Sequence, residues 1–250
     1  MNTLYITGAG VSAKSGIPTF RGRDGFWTVG SVNYTPQQMA TRHMYMKQPG
    51  EFLLWYYKRF VNLGEVKPNA VHYWLSNKKL ITQNIDVLDW VAGNESYIPI
   101  HGRLDKVTIL HEQGETVKLE QAPWENIQNT ISDPEDKDTI KAILLDAFKI
   151  SRRTLLPEPY VSLKPFVLLF DEIYTELYKI SLAMEWIDGA DKIVFMGTSF
   201  SVNITVMALE RAVKNSSLIE VVDPDPVDLG IPTVEYKKMS SENYVKTFDF

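Results

Sequence analysis

Three groups of residues in this 250-residue chain have the types and spacing to do chemistry. The first is Gly8-Ala9-Gly10-Val11-Ser12-Ala13, directly after the apolar run 3–7; Gly8, Gly10 and Ala13 fit G-x-G-x-x-G/A. Small residues there allow a tight turn, and backbone N–H groups at a helix start can approach a pyrophosphate. The same pattern also describes a glycine turn that only packs a helix on a strand. The acidic residue that usually ends a second strand about 20 positions later is missing. In its place stands Ser15-Gly16-Ile17-Pro18-Thr19-Phe20-Arg21-Gly22, too rich in Gly and Pro for an ordinary crossover helix. The second group is Gln83-Asn84-Ile85-Asp86, with His101 after the next apolar run. An amide orients a water or a hydroxyl without carrying charge, and a histidine of pKa near ~6.5 takes a proton at neutral pH. The third group, Gly197-Thr198-Ser199 and Asp223, ends two further apolar runs.

These groups need strands to hold them. Short apolar runs alternate with helical patterns, which is the α/β signature. Residues 3–7, 80–82, 97–100, 166–170, 192–196 and 218–222 read as strands. Residues 50–62, 67–77, 133–150 and 202–214 read as helices, as does a stripe of Ile173, Leu177, Ile180, Met184 and Ile187. Residues 104–119 suggest a hairpin turning near Gly114. The expected fold is an open parallel sheet with helices on both faces and a smaller insert domain. In such sheets ligands bind beyond the carboxyl ends of the strands, where the polar residues above fall. Residues 1–29, 78–102 and 164–250 are expected to form the sheet domain. Residues 30–77 would be a helical insert and 103–163 a second insert.

Composition excludes other classes. Apolar residues are 44% and charged residues 23%, which argues for a globular chain. A formal charge of −5 does not suit non-specific nucleic-acid binding. With no cysteine there are no disulfides, no thiolate nucleophile and no Cys-ligated zinc. No apolar run reaches membrane-spanning length and no signal-peptide pattern opens the chain, so a cytoplasmic protein is expected.

The longer pattern is more specific than any one group. Gly8-Ala9-Gly10-Val11-Ser12, Ser15-Gly16-Ile17-Pro18 and Phe20-Arg21 resemble the signature of the sirtuin family. Pro68-Asn69-Ala70-Val71-His72, Ile81-Thr82-Gln83-Asn84-Ile85-Asp86, Ala92-Gly93, His101-Gly102 and Gly197-Thr198-Ser199 agree in order and spacing. The resemblance covers most of 3–102 and 164–223 and is poor across 103–163. It implies a Rossmann-like domain that consumes NAD by breaking the nicotinamide–ribose bond. Gly8, Ala9, Gly10, Ser12, Phe20 and Arg21 would line the pyrophosphate and nicotinamide-ribose region. Gln83 and Asn84 would meet the ribose, Asp86 the nicotinamide amide, and His101 would be the general base. Gly197, Thr198 and Ser199 would contact the adenosine half, with Asp223 where the family usually has Asn. His72 is expected to pack, and His43 and His111 to be structural.

Three departures shape the expected activity. The four zinc cysteines usual after His-Gly are absent, so no zinc is expected. Thr19 stands where Asp or Glu is common. Leu169-Phe170-Asp171-Glu172 replaces Phe-Gly-Glu, which would place the Asp171 carboxylate beside an acyl-lysine tunnel, unless Asp171 caps the following helix. The sequence therefore reads first as an NAD+ glycohydrolase of the antiphage-defence kind. The alternative is an NAD-dependent protein lysine deacylase or ADP-ribosyltransferase. A non-enzymatic NAD-binding scaffold is set against the intact Asn84 and His101. An enzyme that drains NAD needs control, so a homo-oligomer or a separate regulatory or sensing protein is expected. It would dock partly on the inserts, where Trp124 and Tyr160 look exposed.

Overall fold

The computed structural model describes residues 1–17, 34–63 and 65–248. Phe20, Arg21 and Thr19 lie outside the described residues. In chain order the elements are β1 (Thr3–Thr7), α1 (Pro36–Met39), α2 (Arg42–Lys47), α3 (Pro49–Leu63), α4 (Ala70–Leu75), β2 (Lys79–Thr82), α5 (Leu88–Val91) and β3 (Ile98–Pro99). They continue with β4 (Gly102–Ile109), β5 (Glu120–Gln121), α6 (Trp124–Thr130), α7 (Lys137–Ala147) and β6 (Leu163–Val167). The last are α8 (Ile180–Asp188), β7 (Lys192–Met196), α9 (Asn203–Lys214), β8 (Leu218–Val222), β9 (Val234–Lys237) and α10 (Ser241–Lys246). The chain divides into two compact units. One holds Met1–Gly22, Val66–Ile100 and Lys179–Phe250; the other holds Arg23–Glu65 and His101–Tyr178.

The first unit is a six-stranded sheet in the order β3-β2-β1-β7-β8-β9, parallel throughout. Its strands are apolar on both faces because both are covered. Tyr5, Leu80, Val194, Met196 and Val222 pack with Val71 and Leu75 of α4 and with Tyr244 and Val245 of α10. Strand residues of the opposite parity, Leu4, Ile6, Ile81, Phe195 and Val221, are buried as well. The chain leaves β1 toward one edge and returns through β7 on the other side. The order thus reverses between β1 and β7, the place where such sheets bind ligands.

The second unit has a three-stranded antiparallel sheet, β5-β4-β6, with α3, α6 and α7. Gly102 opens β4 with φ +85, and a Cβ there would lie 2.0 Å from the Phe166 carbonyl oxygen. Only glycine fits that approach. Trp124, expected at the surface, is fully buried. It packs on Phe148 (4.8 Å between centroids) and Phe60 (5.9 Å), and its Nε1–H donates to Leu104 O at 2.7 Å. Tyr160 is 70% exposed.

Several local expectations change. The hairpin read over 104–119 has its return limb at Glu120–Gln121, with turns between. The strand read over 166–170 ends at Val167 and pairs with β4, not with the parallel sheet. Glu172 stops it: its Oε2 accepts from Leu169 N while its own N–H bonds Leu169 O, closing a turn. The helical stripe from Ile173 gives a 3-10 turn at Glu176–Tyr178 and α-helix only from Ile180, because Lys179 takes left-handed φ +57. The helix read over 133–150 begins at Lys137, capped by the Asp136 carboxylate on Thr139 N. No helix among the described residues is long and apolar enough to cross a membrane.

Candidate active site

The loops at the carboxyl edge of the parallel sheet are fixed by backbone bonds that extend the ladder. Gly8 N donates to Met196 O (3.1 Å), Gln83 N to Thr7 O (2.9 Å), Gly197 N to Val222 O (2.9 Å) and Ile100 N to Thr82 O (3.0 Å). The glycines are required by contact as well as by turn. Gly10 lies against Gly197, where a Cβ would come within 2.6 Å of the Gly197 Cα, and Gly197 itself has φ +60. Two bare backbones thus meet at the switch point. Gln83 and Thr198 close the far side through hydrogen bonds of 3.1 and 3.2 Å. Asp223 ends β8, with its Oδ1 accepting from Asp225 N (2.9 Å), and the Ser199 and Ser201 hydroxyls lie 2.8 Å apart.

Beneath this edge lies a buried polar network. Asn69 caps α4: its Oδ1 accepts from Val71 N, and His72 Nδ1 accepts from Asn69 N at 3.2 Å. An accepting Nδ1 leaves the ring proton on Nε2, which donates to Ser12 Oγ at 3.3 Å. Ser12 Oγ–H in turn donates to Asp86 Oδ2 at 2.7 Å. Asn84 Nδ2 donates to both Gly8 O (3.1 Å) and Ser12 Oγ (3.2 Å). Both amide hydrogens of Asn84 are therefore used, and its carbonyl oxygen is the atom left to accept. Burial holds the His72 imidazole down to about 4, so the ring is neutral. Burial raises Asp86, against the opposing pull of Ser12 and Leu88 N–H.

His101 is the first residue of the second unit, one peptide bond after Ile100. Its Nε2 lies 3.0 Å from the Tyr174 hydroxyl, and the two rings stack at 15° with centroids 5.9 Å apart. In the same unit Asp171 does cap a helix, but α2 rather than the one that follows it. Its Oδ1 accepts from Arg42 N (2.6 Å) and its Oδ2 from His43 N (3.0 Å). Thr41 Oγ1 takes Met44 N, so the first turn of α2 has its donors satisfied. Next to it Glu172 bridges Lys164 (2.8 Å, side chain 3% exposed) and Arg42 (3.3 Å); Arg42 also meets His111.

Residues 8–204 match the Sir2 family. The chain belongs to that family. It is 30% identical over 233 residues to an NAD-dependent protein deacylase of Bacteroides thetaiotaomicron, covering 91% of this chain and 87% of the relative. It is 27% identical over 254 residues to NAD-dependent protein deacylase 1 of Caldanaerobacter subterraneus, covering 99% and 92%. Among solved structures, a Sir2 homolog–NAD complex superposes with a TM-score of 0.74 at 25% identity, covering 98% of this chain and 87% of that one.

Within this Sir2-family chain the structure brings Gly8, Ala9, Gly10, Ser12, Gln83, Asn84, Asp86, Gly197, Thr198, Ser199 and Asp223 to the carboxyl edge of one sheet. A zinc of the family's kind does not fit. The chain has no thiolate, and among the described residues no three His, Asp or Glu side chains converge. Sequence reasoning missed the bonding role of His72, the Tyr174 partner of His101, and Asp89, a buried carboxyl three residues after Asp86. A buried acid in the middle of a short helix was the only signal for the last.

Proposed function

We propose that this protein is an NAD-dependent lysine deacylase whose site at the carboxyl edge of the parallel sheet breaks the nicotinamide–ribose bond. NAD is the substrate. The Gly8–Ser12 turn and the bare Gly10–Gly197 contact suit a pyrophosphate, and Thr198, Ser199 and Asp223 suit the adenosine half. As nicotinamide leaves, the electron pair of its bond to C1′ goes to the ring nitrogen, and positive charge builds on the ribose. Asn84, clamped by Gly8 O and Ser12, turns its carbonyl oxygen toward hydroxyl or nucleophile in a fixed direction. Asp86 suits the nicotinamide amide. His101, oriented by Tyr174, serves as the base that takes a ribose hydroxyl proton. The nucleophile at C1′ is the amide oxygen of an acyl-lysine; the ribose hydroxyl deprotonated by His101 then adds to the acyl carbon, water enters, and the acyl C–N bond breaks to release the lysine amine and leave O-acyl-ADP-ribose.

The observation that carries deacylation over glycohydrolysis is the position of Asp171. Its carboxylate is engaged by Arg42 N and His43 N, so it does not stand as a free charge beside Phe170. Deacylase relatives matched over nearly the whole chain support the same choice. The glycohydrolase is kept as a second reading because the family's cysteine module is missing, while nothing in the site chemistry favours an antiphage setting. Incubating the purified protein with NAD, with and without an acetyl-lysine peptide, separates the two. A deacylase releases nicotinamide only with peptide. Gating by self-assembly or by a regulatory partner also remains a proposal for residues 103–163, where Leu155, Tyr160 and Val161 are exposed. Sizing across concentration, alongside activity, checks it.

A further inference from the structure

Asp89 sits in α5, 2% exposed, with Oδ1 lacking any hydrogen-bond partner. It is close enough to Asp86 for their charges to oppose each other. Between them Val87 holds φ +63, a left-handed conformation that a β-branched side chain rarely adopts. That kink lies between the two acids, both of them buried. They are not equivalent. Asp86 receives Ser12 Oγ–H on one oxygen and Leu88 N–H (3.1 Å) on the other. At Asp89 the nearby Thr82 hydroxyl offsets the effect of burial only in part. Thr82 Oγ1 already accepts from Thr7 (2.9 Å) and from Asn84 N (3.2 Å), which leaves its own hydrogen to give.

Two buried carboxylates this near cannot both ionise cheaply, so the pair holds a proton, and the acid with fewer donors keeps it. We propose that Asp89 is a positioning residue that carries this proton. With Asp89 neutral, Asp86 remains the ionised acceptor of Ser12, and Ser12 in turn holds Asn84. Loss of the proton places a second negative charge under the site, drives Asp86 off Ser12 and loosens Asn84. Burial first, then the Asp86 charge, pushes Asp89 up to about 7, within the working range of an enzyme. The other titratable group of this network among the described residues, His72 on α4, stays neutral there.

The kinetic part rests on the proposed NAD cleavage at Asn84; the titration itself does not. Peptide-dependent nicotinamide release by the wild type should fall about tenfold between pH 7 and 8.5. Asp89→Asn, permanently neutral, should remove that fall. Asp89 binds a proton more tightly folded than unfolded, so it destabilises the fold as pH rises toward 7 and beyond. The Tm advantage of Asp89→Asn over wild type should therefore grow by several degrees from pH 5 to pH 8. Carboxyl ¹³C NMR of the unmodified protein, which needs no variant to fold, should show one aspartate titrating near pH 7. An unchanged alkaline fall in Asp89→Asn, a Tm difference flat in pH, or no such carboxyl resonance would overturn the proposal. If no nicotinamide is released with peptide at any pH, the function assigned to the site fails instead, and the Tm and NMR results still decide Asp89.

Discussion

At the scale of single residues the account depends on Asn84 being aimed rather than merely present. Its two amide hydrogens are held by Gly8 O and Ser12, so truncation removes an oriented carbonyl oxygen and little packing. Asn84→Ala should lower nicotinamide release about 10²-fold, in keeping with lost positioning. Stability should fall by only about 1 kcal/mol for the lost hydrogen bonds. His101→Ala should cost about 10²–10⁴-fold as a lost base. Steady-state nicotinamide assays with thermal melts check both variants; near-native turnover in either would remove that residue from the site. Asn84, Ser12 and Asp86 were legible because they recur in an ordered motif. The links from Ser12 to His72 and Asp86 were not, because they join positions 60 and 74 apart through buried bonds that leave no period in the sequence. Asp89 lies only three residues from Asp86, and what hid it was its burial, which no periodicity marks.

At the scale of elements, β1, β2, β7 and β8 could be read from apolar runs ended by glycine or a polar cluster, since parallel strands are buried on both faces. The stretch 163–180 could not. Its apolar run is cut by Glu172 closing a turn, and the apparent helical stripe is interrupted by left-handed Lys179. The turn is local and the break at Lys179 is backbone strain, neither of which a run of apolar residues reveals, and other features depend on partners far along the chain. The cap on α2 is a case in point, since 129 residues separate Arg42 from the carboxylate that satisfies it. Asp171→Ala should cost about 1 kcal/mol in urea unfolding, whereas Asp171→Asn should retain most of that stability. Burial also lowers the ammonium of Lys164 from its usual value, and Glu172 is its counter-charge. Glu172→Ala should therefore cost about 3–5 kcal/mol by leaving that charge unpaired. Replacing the pair together, Lys164→Met with Glu172→Leu, should recover much of the loss, as a double-mutant cycle of denaturation curves would show.

At the scale of the whole molecule two units share one chain, and membership of the Sir2 family spans both. The first places bare glycine backbone and a clamped amide at the switch point of a parallel sheet. The second is organised by packing on Trp124 and by the Lys164–Glu172–Arg42 bridge, without cysteine ligands. The fold class was evident from the alternation of strands and helices. The proposed preference for acyl transfer over hydrolysis was not, because it rests on where one carboxylate points, and Asp171 faces the start of α2. That choice is also the account's central claim, and product analysis tests it most directly. The purified protein is incubated with NAD, with and without an acetyl-lysine peptide, and nicotinamide and the ADP-ribose products are resolved by mass spectrometry. The account predicts nicotinamide and O-acetyl-ADP-ribose in equal amounts, and only when peptide is present. Nicotinamide with free ADP-ribose at the same rate in the absence of peptide would contradict it.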